Sequence, residues 1–339
     1  MSSKLFAHAF PAFFLRAFSV LAPLLAPLLA AGVCPSTAQA QAWPAKPVKF
    51  VMPAAPGSSP DRVARLIAER VGTIWGQPVI VENRPGGTGT VGSEYVAKSP
   101  ADGYTALFAF TSVIQAPALL PKVPYDIEKD FAPVTLAVYG PVALAVRTDS
   151  PYKNLADLIN AAKNPASPLT YGTFGQGSTY HIYGETLRIA SKTSMTMVPY
   201  KGEALSLTDL LGGQIQSSWQ SVGILSAHVR AGKLRVLAVA QPQRAKVLPD
   251  VPTFAELGYP LDTVSWFGLL LPAATPRPIV FKMNADVNRV LAAEDVSKSL
   301  TDSGIEPAGT TPERFADVLR VDAAKWKKMI VDAGITSPN

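Results

Sequence analysis

Two short Gly/Ser stretches carry residues whose types and spacing suit the binding of an anion. The first is Pro53-Ala54-Ala55-Pro56-Gly57-Ser58-Ser59-Pro60-Asp61, after the apolar run Val48–Met52. The second is Gly172-Thr173-Phe174-Gly175-Gln176-Gly177-Ser178, after Leu169-Thr170-Tyr171. Each precedes residues with helical spacing. The first N–H groups of a helix have no partner inside it, and that end carries the positive pole of the helix dipole. A carboxylate or phosphate is stabilised there. In the first stretch Ser59 is expected to cap a helix, Pro60 suits its first turn and Asp61 complements the dipole. In the second, Ser178 and the N–H groups after Gly177 are the best carboxylate contacts, against the plainer reading of Ser178 as an N-cap. Two such sites in one chain suggest two similar lobes closing on one small anion.

Other chemistries fit the sequence less well. His181 and Glu185 stand four apart on one helix face, but no second histidine lies nearby, so no metal centre is expected. Ser178 and His181 lack a third orienting group for nucleophilic catalysis; an exported serine hydrolase is the competing reading. No Gly-x-Ser-x-Gly, Walker or His-Glu-x-x-His motif occurs. The first stretch lacks the three-glycine spacing of a dinucleotide fold. Tyr200-Lys201 follows a short strand and offers a phenol and a cation. Arg84, in Asn83-Arg84-Pro85-Gly86-Gly87, reads better as a residue that fixes its loop. Thr111-Ser112 closes the strand Ala106–Phe110, where an open α/β sheet meets ligands. A bare Asp61 carboxylate repels an anionic ligand, so its expected roles are fixing the loop or holding a bridging water.

The elements that must position these residues alternate between strand and helix. Val48–Pro53, Pro78–Val81 and Ala106–Phe110 read as strands, with helices after Ser59 and over Val91–Lys98. Extended runs at Phe131–Val138 and Val142–Val146 mark a crossing into a second lobe. There the pattern restarts with helices over Asn154–Lys163, Ser178–Ala190, Ala204–Leu211 and Val222–Ala231 and strands at Leu169–Tyr171 and Leu234–Ala240. Val264–Leu271 returns to the first lobe, and helices over Arg277–Ala292 and Pro312–Ala333 follow. The expected fold is α/β, with each lobe a mostly parallel sheet flanked by helices.

The start of the chain reads differently. Residues 1–40 carry Lys4 and Arg16 as their only charges, and no acid precedes Asp61. The apolar run Val20–Ala31 and the small residues Ala38-Gln39-Ala40 form a secretory signal peptide, cut after Ala40 and directing the protein to the periplasm. Cys34 is the only cysteine, so the exported part has no disulfide and must hold itself by its core. The whole chain has a formal charge of +6, scattered rather than gathered into a stripe, so nucleic acid is not an expected partner.

Several stretches, taken in order, resemble the tripartite tricarboxylate transporter receptor family, the Bug-type periplasmic solute-binding proteins. They are Trp43-Pro44-Ala45-Lys46-Pro47-Val48, Val81-Glu82-Asn83-Arg84-Pro85-Gly86-Gly87, Asp102-Gly103-Tyr104-Thr105, Pro124-Tyr125-Asp126, Lys129-Asp130-Phe131-Ala132-Pro133-Val134, Val198-Pro199-Tyr200-Lys201-Gly202, Asp209-Leu210-Leu211-Gly212-Gly213-Gln214, Ala231-Gly232-Lys233-Leu234-Arg235, Leu248-Pro249-Asp250-Val251-Pro252-Thr253 and Ser265-Trp266-Phe267-Gly268-Leu269. The resemblance implies a two-lobed periplasmic-binding-protein fold. Lobe 1 is expected at residues 41–140 and 265–339, and lobe 2 at 141–264. It also implies capture of a small organic acid, a mono- or dicarboxylate, and Phe110, Phe174 and Tyr180 would suit an aromatic one. A membrane permease of the tripartite tricarboxylate type is the implied partner, and a signalling kinase the alternative. A monomer without cofactor or catalytic residue is expected.

The family's ligand loops fall on Ala55, Gly57, Ser58, Ser59 and Asp61, and on Phe174, Gly175, Gly177, Ser178 and His181. Thr111, Ser112, Tyr200 and Lys201 complete the expected site. Ser58 and Ser59 replace glycines usual in the family, Ala116 replaces a frequent asparagine and Gln216 a frequent aspartate.

Overall fold

The computed structural model describes residues 43–335. The signal peptide reading of residues 1–40 lies outside the described residues.

The chain begins with β1 (Val48–Met52), α1 (Ser59–Trp75), β2 (Val79–Asn83), α2 (Thr90–Ala97), β3 (Thr105–Phe110) and α3 (Ser112–Leu119). It crosses through β4 (Phe131–Tyr139) into β5 (Val142–Arg147), α4 (Leu155–Ala162), β6 (Thr170–Thr173), α5 (Thr179–Ser191), β7 (Thr196–Pro199), α6 (Glu203–Leu211), β8 (Ser217–Ser221), α7 (Val222–Arg230) and β9 (Leu234–Ala240). It returns through β10 (Trp266–Pro272) and finishes with α8 (Arg277–Ala292), α9 (Glu294–Asp302), β11 (Glu306–Pro307) and α10 (Pro312–Asp332).

The strands make two sheets, in the orders β11-β4-β10-β3-β1-β2 and β7-β6-β8-β5-β9. The two-lobed α/β arrangement is present, and both sheets are mixed. β1 pairs parallel with β2 and β3, and β6 parallel with β7 and β8. β10 runs antiparallel to β3 and β4, and β5 antiparallel to β8 and β9. In each sheet the strand that follows a crossing, β5 after β4 and β10 after β9, runs against the βαβ strands. Periodicity predicts a strand but not its direction. The crossings touch: the Gly140 N–H donates to the Ser265 carbonyl at 2.7 Å.

β1 is fully buried at Val48, Phe50, Val51 and Met52, as a central parallel strand covered on both faces must be. α10 ties the two sheets together. Phe315 in its first turns packs edge-on to Trp266 of β10, with ring centroids 5.2 Å apart. Trp326 further along meets Tyr183 of α5 at 5.3 Å. Both are fully buried, and each such side chain stabilises by roughly 1.5–3 kcal/mol. α3 has no counterpart among the expected helices. It is buried at Val113, Ile114, Gln115, Ala116 and Leu119, so it shows no amphipathic stripe, and it contains Pro117.

Candidate functional site

The carboxyl ends of β1, β3 and β6 each run through a short loop into a helix start. At the end of β1 the N-cap position is Ser58, one residue before the expected Ser59, and its side chain makes no capping bond. Gly57 is left-handed at φ 79°, a conformation in which a side chain is strained. Asp61 is buried beneath this loop. Its Oδ2 accepts the Gly57 N–H at 2.8 Å and Arg65 Nε at 3.0 Å. Its Oδ1 accepts Arg65 Nη2 at 3.1 Å and Asn83 Nδ2 at 2.8 Å. Burial by itself raises the carboxyl's pKa, but the bonds from Arg65, Gly57 and Asn83 outweigh it and hold Asp61 below its ordinary value. Asn83 also donates to the Ala54 carbonyl at 3.0 Å. Ala55 is exposed at the loop tip, and Ser59 is half-buried. The N–H groups of Ser59 and Asp61 have no hydrogen-bond acceptor among the described residues.

At the end of β6, Gly175 and Gly177 are both left-handed, at φ 89° and 74°. Ser178 is the N-cap of α5. Its Oγ accepts the His181 N–H at 3.2 Å and donates to the Gly175 carbonyl at 2.7 Å. His181 is buried, and its Nδ1 accepts the Gly177 N–H at 3.1 Å. That bond assigns the ring proton to Nε2. Burial pushes the imidazole below its ordinary value of 6.5, with the charge of Glu185 opposing, so His181 is neutral at pH 7. The N–H groups of Thr179 and Tyr180 have no acceptor among the described residues. Glu185, the other half of the His181–Glu185 pair, accepts the Tyr171 phenol and Arg188.

The third stretch is pulled in two directions. Thr111 is buried, and its Oγ1 accepts the Trp266 N–H at 2.9 Å, joining the end of β3 to the start of β10. Ser112 lies against the left-handed turn Gly87–Gly89: a Cβ built on Gly89 would sit 3.0 Å from Ser112 Oγ and 3.6 Å from Pro53. The first loop, this turn and Ser112 therefore form one cluster in lobe 1. Arg84, which opens the turn, bonds Glu82 and stacks over Tyr95 at 3.7 Å.

A second cluster forms in lobe 2. The Tyr200 N–H donates to the Thr173 carbonyl at 3.1 Å, which lays residues 200–203 beside the second loop. The Tyr200 phenol donates to Asp209 at 2.7 Å, and burial together with that carboxylate pushes its pKa up to about 12. Lys201 is exposed. Phe174 is 43 % exposed, with its ring 6.2 Å from that of Tyr180. Between the clusters runs α3: Gln115 and Thr179 exchange hydrogen bonds at 3.1 and 3.2 Å, and Leu119 packs by Gly177.

Arg65, Asn83, Gln115 and Glu203 are contacts that the sequence reading did not single out. Only Arg65 carried a signal, the i,i+4 spacing from Asp61. Asn83 and Gln115 meet their partners 22 and 64 residues away.

Two α/β lobes joined by touching crossings, with helix starts at the carboxyl ends of their strands, define a two-lobed periplasmic solute-binding protein. The model of the tripartite tricarboxylate transporter family receptor matches residues 63–335, and the chain belongs to that family. A protein from the tcbD-tcbE intergenic region of Pseudomonas sp. strain P51 is 35 % identical over 86 % of this chain and 87 % of its own. BugT of Bordetella pertussis is 32 % identical over 87 % of this chain and 91 % of its own. Among solved structures, an R. palustris protein with adipate superimposes with a TM-score of 0.79 at 34 % identity, covering 87 % of this chain and 100 % of that one. MatC from Rhodopseudomonas palustris with bound malate gives 0.75 at 33 % identity, covering 85 % and 100 %. The protein is thus a periplasmic receptor of a tripartite tricarboxylate transporter, a binding protein and not an enzyme.

Proposed function

We propose that the receptor captures a small organic carboxylate between the two loops and delivers it to its permease. The observation that carries this reading is the start of α5. Its Thr179 and Tyr180 N–H groups are unclaimed, while Ser178, Gly177 and His181 hold the loop that presents them. Each hydrogen bond to a charged oxygen contributes about 1.5–3 kcal/mol, and the dipole adds about 0.3–1 kcal/mol. Ser58, Ser59 and the first N–H groups of α1 would receive the far end of the ligand, directly or through water. Adipate and malate in two similar receptors favour a dicarboxylate-sized space. Within this reading residues 41–140 and 265–339 make lobe 1, residues 141–264 make lobe 2, and the leader is cut after Ala40.

Thermal-shift titration of the purified protein with mono-, di- and tricarboxylates tests it. A ligand at 100 times its Kd stabilises by about 2.7 kcal/mol. The reading fails if neutral sugars raise the midpoint and no organic acid does.

A further inference from the structure

One corner of lobe 2 has a charge character opposite to that of the α5 start. Glu203 is the first residue of α6. Its Oε1 accepts both the Tyr180 phenol and the Ser221 N–H, the latter at 2.8 Å. Its Oε2 takes no hydrogen bond from any described residue. Gln220 lies fully buried beneath the same helix start, its Nε2 donating to the Glu203 carbonyl at 3.4 Å and to Ser218 Oγ at 2.8 Å. Gln220 Oε1 is buried without a donor. Burial, reinforced by the Glu203 charge, raises the Tyr180 pKa well above its ordinary value, so its one proton is committed to Glu203. The corner therefore holds more acceptors than donors.

The aromatic surface nearby has the same preference. The exposed Phe174 ring lies beside Gly202, 3.9 Å from where a Cβ would stand, and beside Tyr180. Aromatic faces carry negative potential and attract cations. A carboxylate that takes the Tyr180 hydroxyl and follows Gly202, against which the Phe174 ring lies, repels a second ligand carboxylate and attracts an ammonium, which brings donors only. The other charges nearby are the exposed Lys201 and Asp209, whose carboxylate is engaged by the Tyr200 phenol.

We propose that Glu203, with Phe174 and Tyr180, forms a cation subsite, and that the receptor's ligand is a carboxylate bearing an ammonium group. This rests on the reading of the α5 start as a carboxylate site. Oε2 of Glu203 accepts the ammonium protons, the exposed Phe174 ring lies alongside, and the ligand carboxylate lies on the Thr179 and Tyr180 N–H groups.

Calorimetric titration of the wild type and Glu203→Gln with matched pairs tests it: adipate against 6-aminohexanoate, and succinate against 3-aminopropanoate. Glutamine keeps an oxygen for Tyr180 and Ser221 and removes the charge. The expected result is that the wild type binds the amino acids more tightly than the diacids. Glu203→Gln then weakens the amino acids about tenfold, as for one charged hydrogen bond, and leaves diacid binding equal or tighter. Phe174→Leu lowers the amino acid preference about two- to fivefold, the worth of an exposed cation–π contact. A wild type that prefers the diacids, or a Glu203→Gln variant that weakens both classes equally, overturns the subsite and leaves the carboxylate reading standing. Binding of hexylamine with no acid binding in either class overturns both.

Discussion

Ser178 offers a test of how the second loop is held. Its hydroxyl oxygen is engaged twice, accepting the His181 N–H and donating to the Gly175 carbonyl. Replacing it with alanine removes an N-cap, at about 1 kcal/mol, and a hydroxyl–carbonyl bond, at about 1 kcal/mol. The sum is a loss of about 2 kcal/mol in the ligand-free protein, or a fall of about 4 °C in the midpoint for a chain of this size. Ser178→Gly tolerates the cap position better, by all but a few tenths of a kcal/mol, and should fall between wild type and alanine. The loop's N–H groups are presented by these bonds, so affinity for the best acid found should fall along with apo stability. Urea unfolding and calorimetric titration of the three proteins measure both. A Ser178→Ala variant with unchanged apo stability and sharply reduced affinity refutes the argument, because its hydroxyl would then act on the ligand and not on the loop.

Three further outcomes are expected. Gly223 of α7 approaches the turn after α9 so closely that a Cβ would stand 1.9 Å from the Ser303 carbonyl oxygen. Gly223→Ala should therefore cost more than about 2 kcal/mol by overpacking, and a urea midpoint equal to wild type would show that this lobe-to-lobe approach is not made. His181 is held below its ordinary 6.5 by burial, so the unfolded chain takes up its proton first. Its contribution is complete above about pH 6.5 and is lost as pH falls toward the depressed folded value; His181→Gln should flatten the stability profile between pH 7 and 5, and an unchanged slope there counts against a buried neutral imidazole. Asp61 is depressed, so its contribution is present above its ordinary 3.8 and disappears as pH falls through its lower folded value. Asp61→Asn should cost about 2 kcal/mol at pH 7, a buried-pair loss discounted because Arg65 is half exposed, and should remove that acid-side loss, as read by chemical unfolding at pH 7 and pH 3.

The sequence showed most where periodicity and turn chemistry act over a few residues. β9 and α8 have the bounds that apolar spacing predicts, Leu234–Ala240 and Arg277–Ala292. The two Gly/Ser loops were visible for the same reason, since left-handed turns and helix starts are local. β8 was not visible. Ser217, Ser218 and Gln220 are buried polar residues, stabilised by a Ser206–Ser218 hydroxyl bond at 2.7 Å from a helix residue 12 positions earlier. No hydrophobic alternation announces such a strand. α3 was hidden by the opposite excess, burial around nearly all of its short length with Pro117 alone exposed. Strand direction in both sheets depends on where each crossing enters, which is a long-range property. Within the site, the i,i+4 pair Asp61–Arg65 was accessible to sequence reasoning, whereas Gln115–Thr179 joins two lobes whose docking no local pattern encodes.

Both loops share a design that explains why the helix starts remain available. Each is braced from behind by a buried group that bonds the N–H of a left-handed glycine: Asp61 on Gly57 and His181 on Gly177. The braces differ in charge. Asp61 is a carboxylate paired with Arg65, while His181 is a neutral imidazole. The link from α3 to the second loop, Gln115 to Thr179, ends on the first residue of α5. Parting α3 from α5 must stretch that bond, so the helix start offered to the anion is tied directly to the opposite lobe.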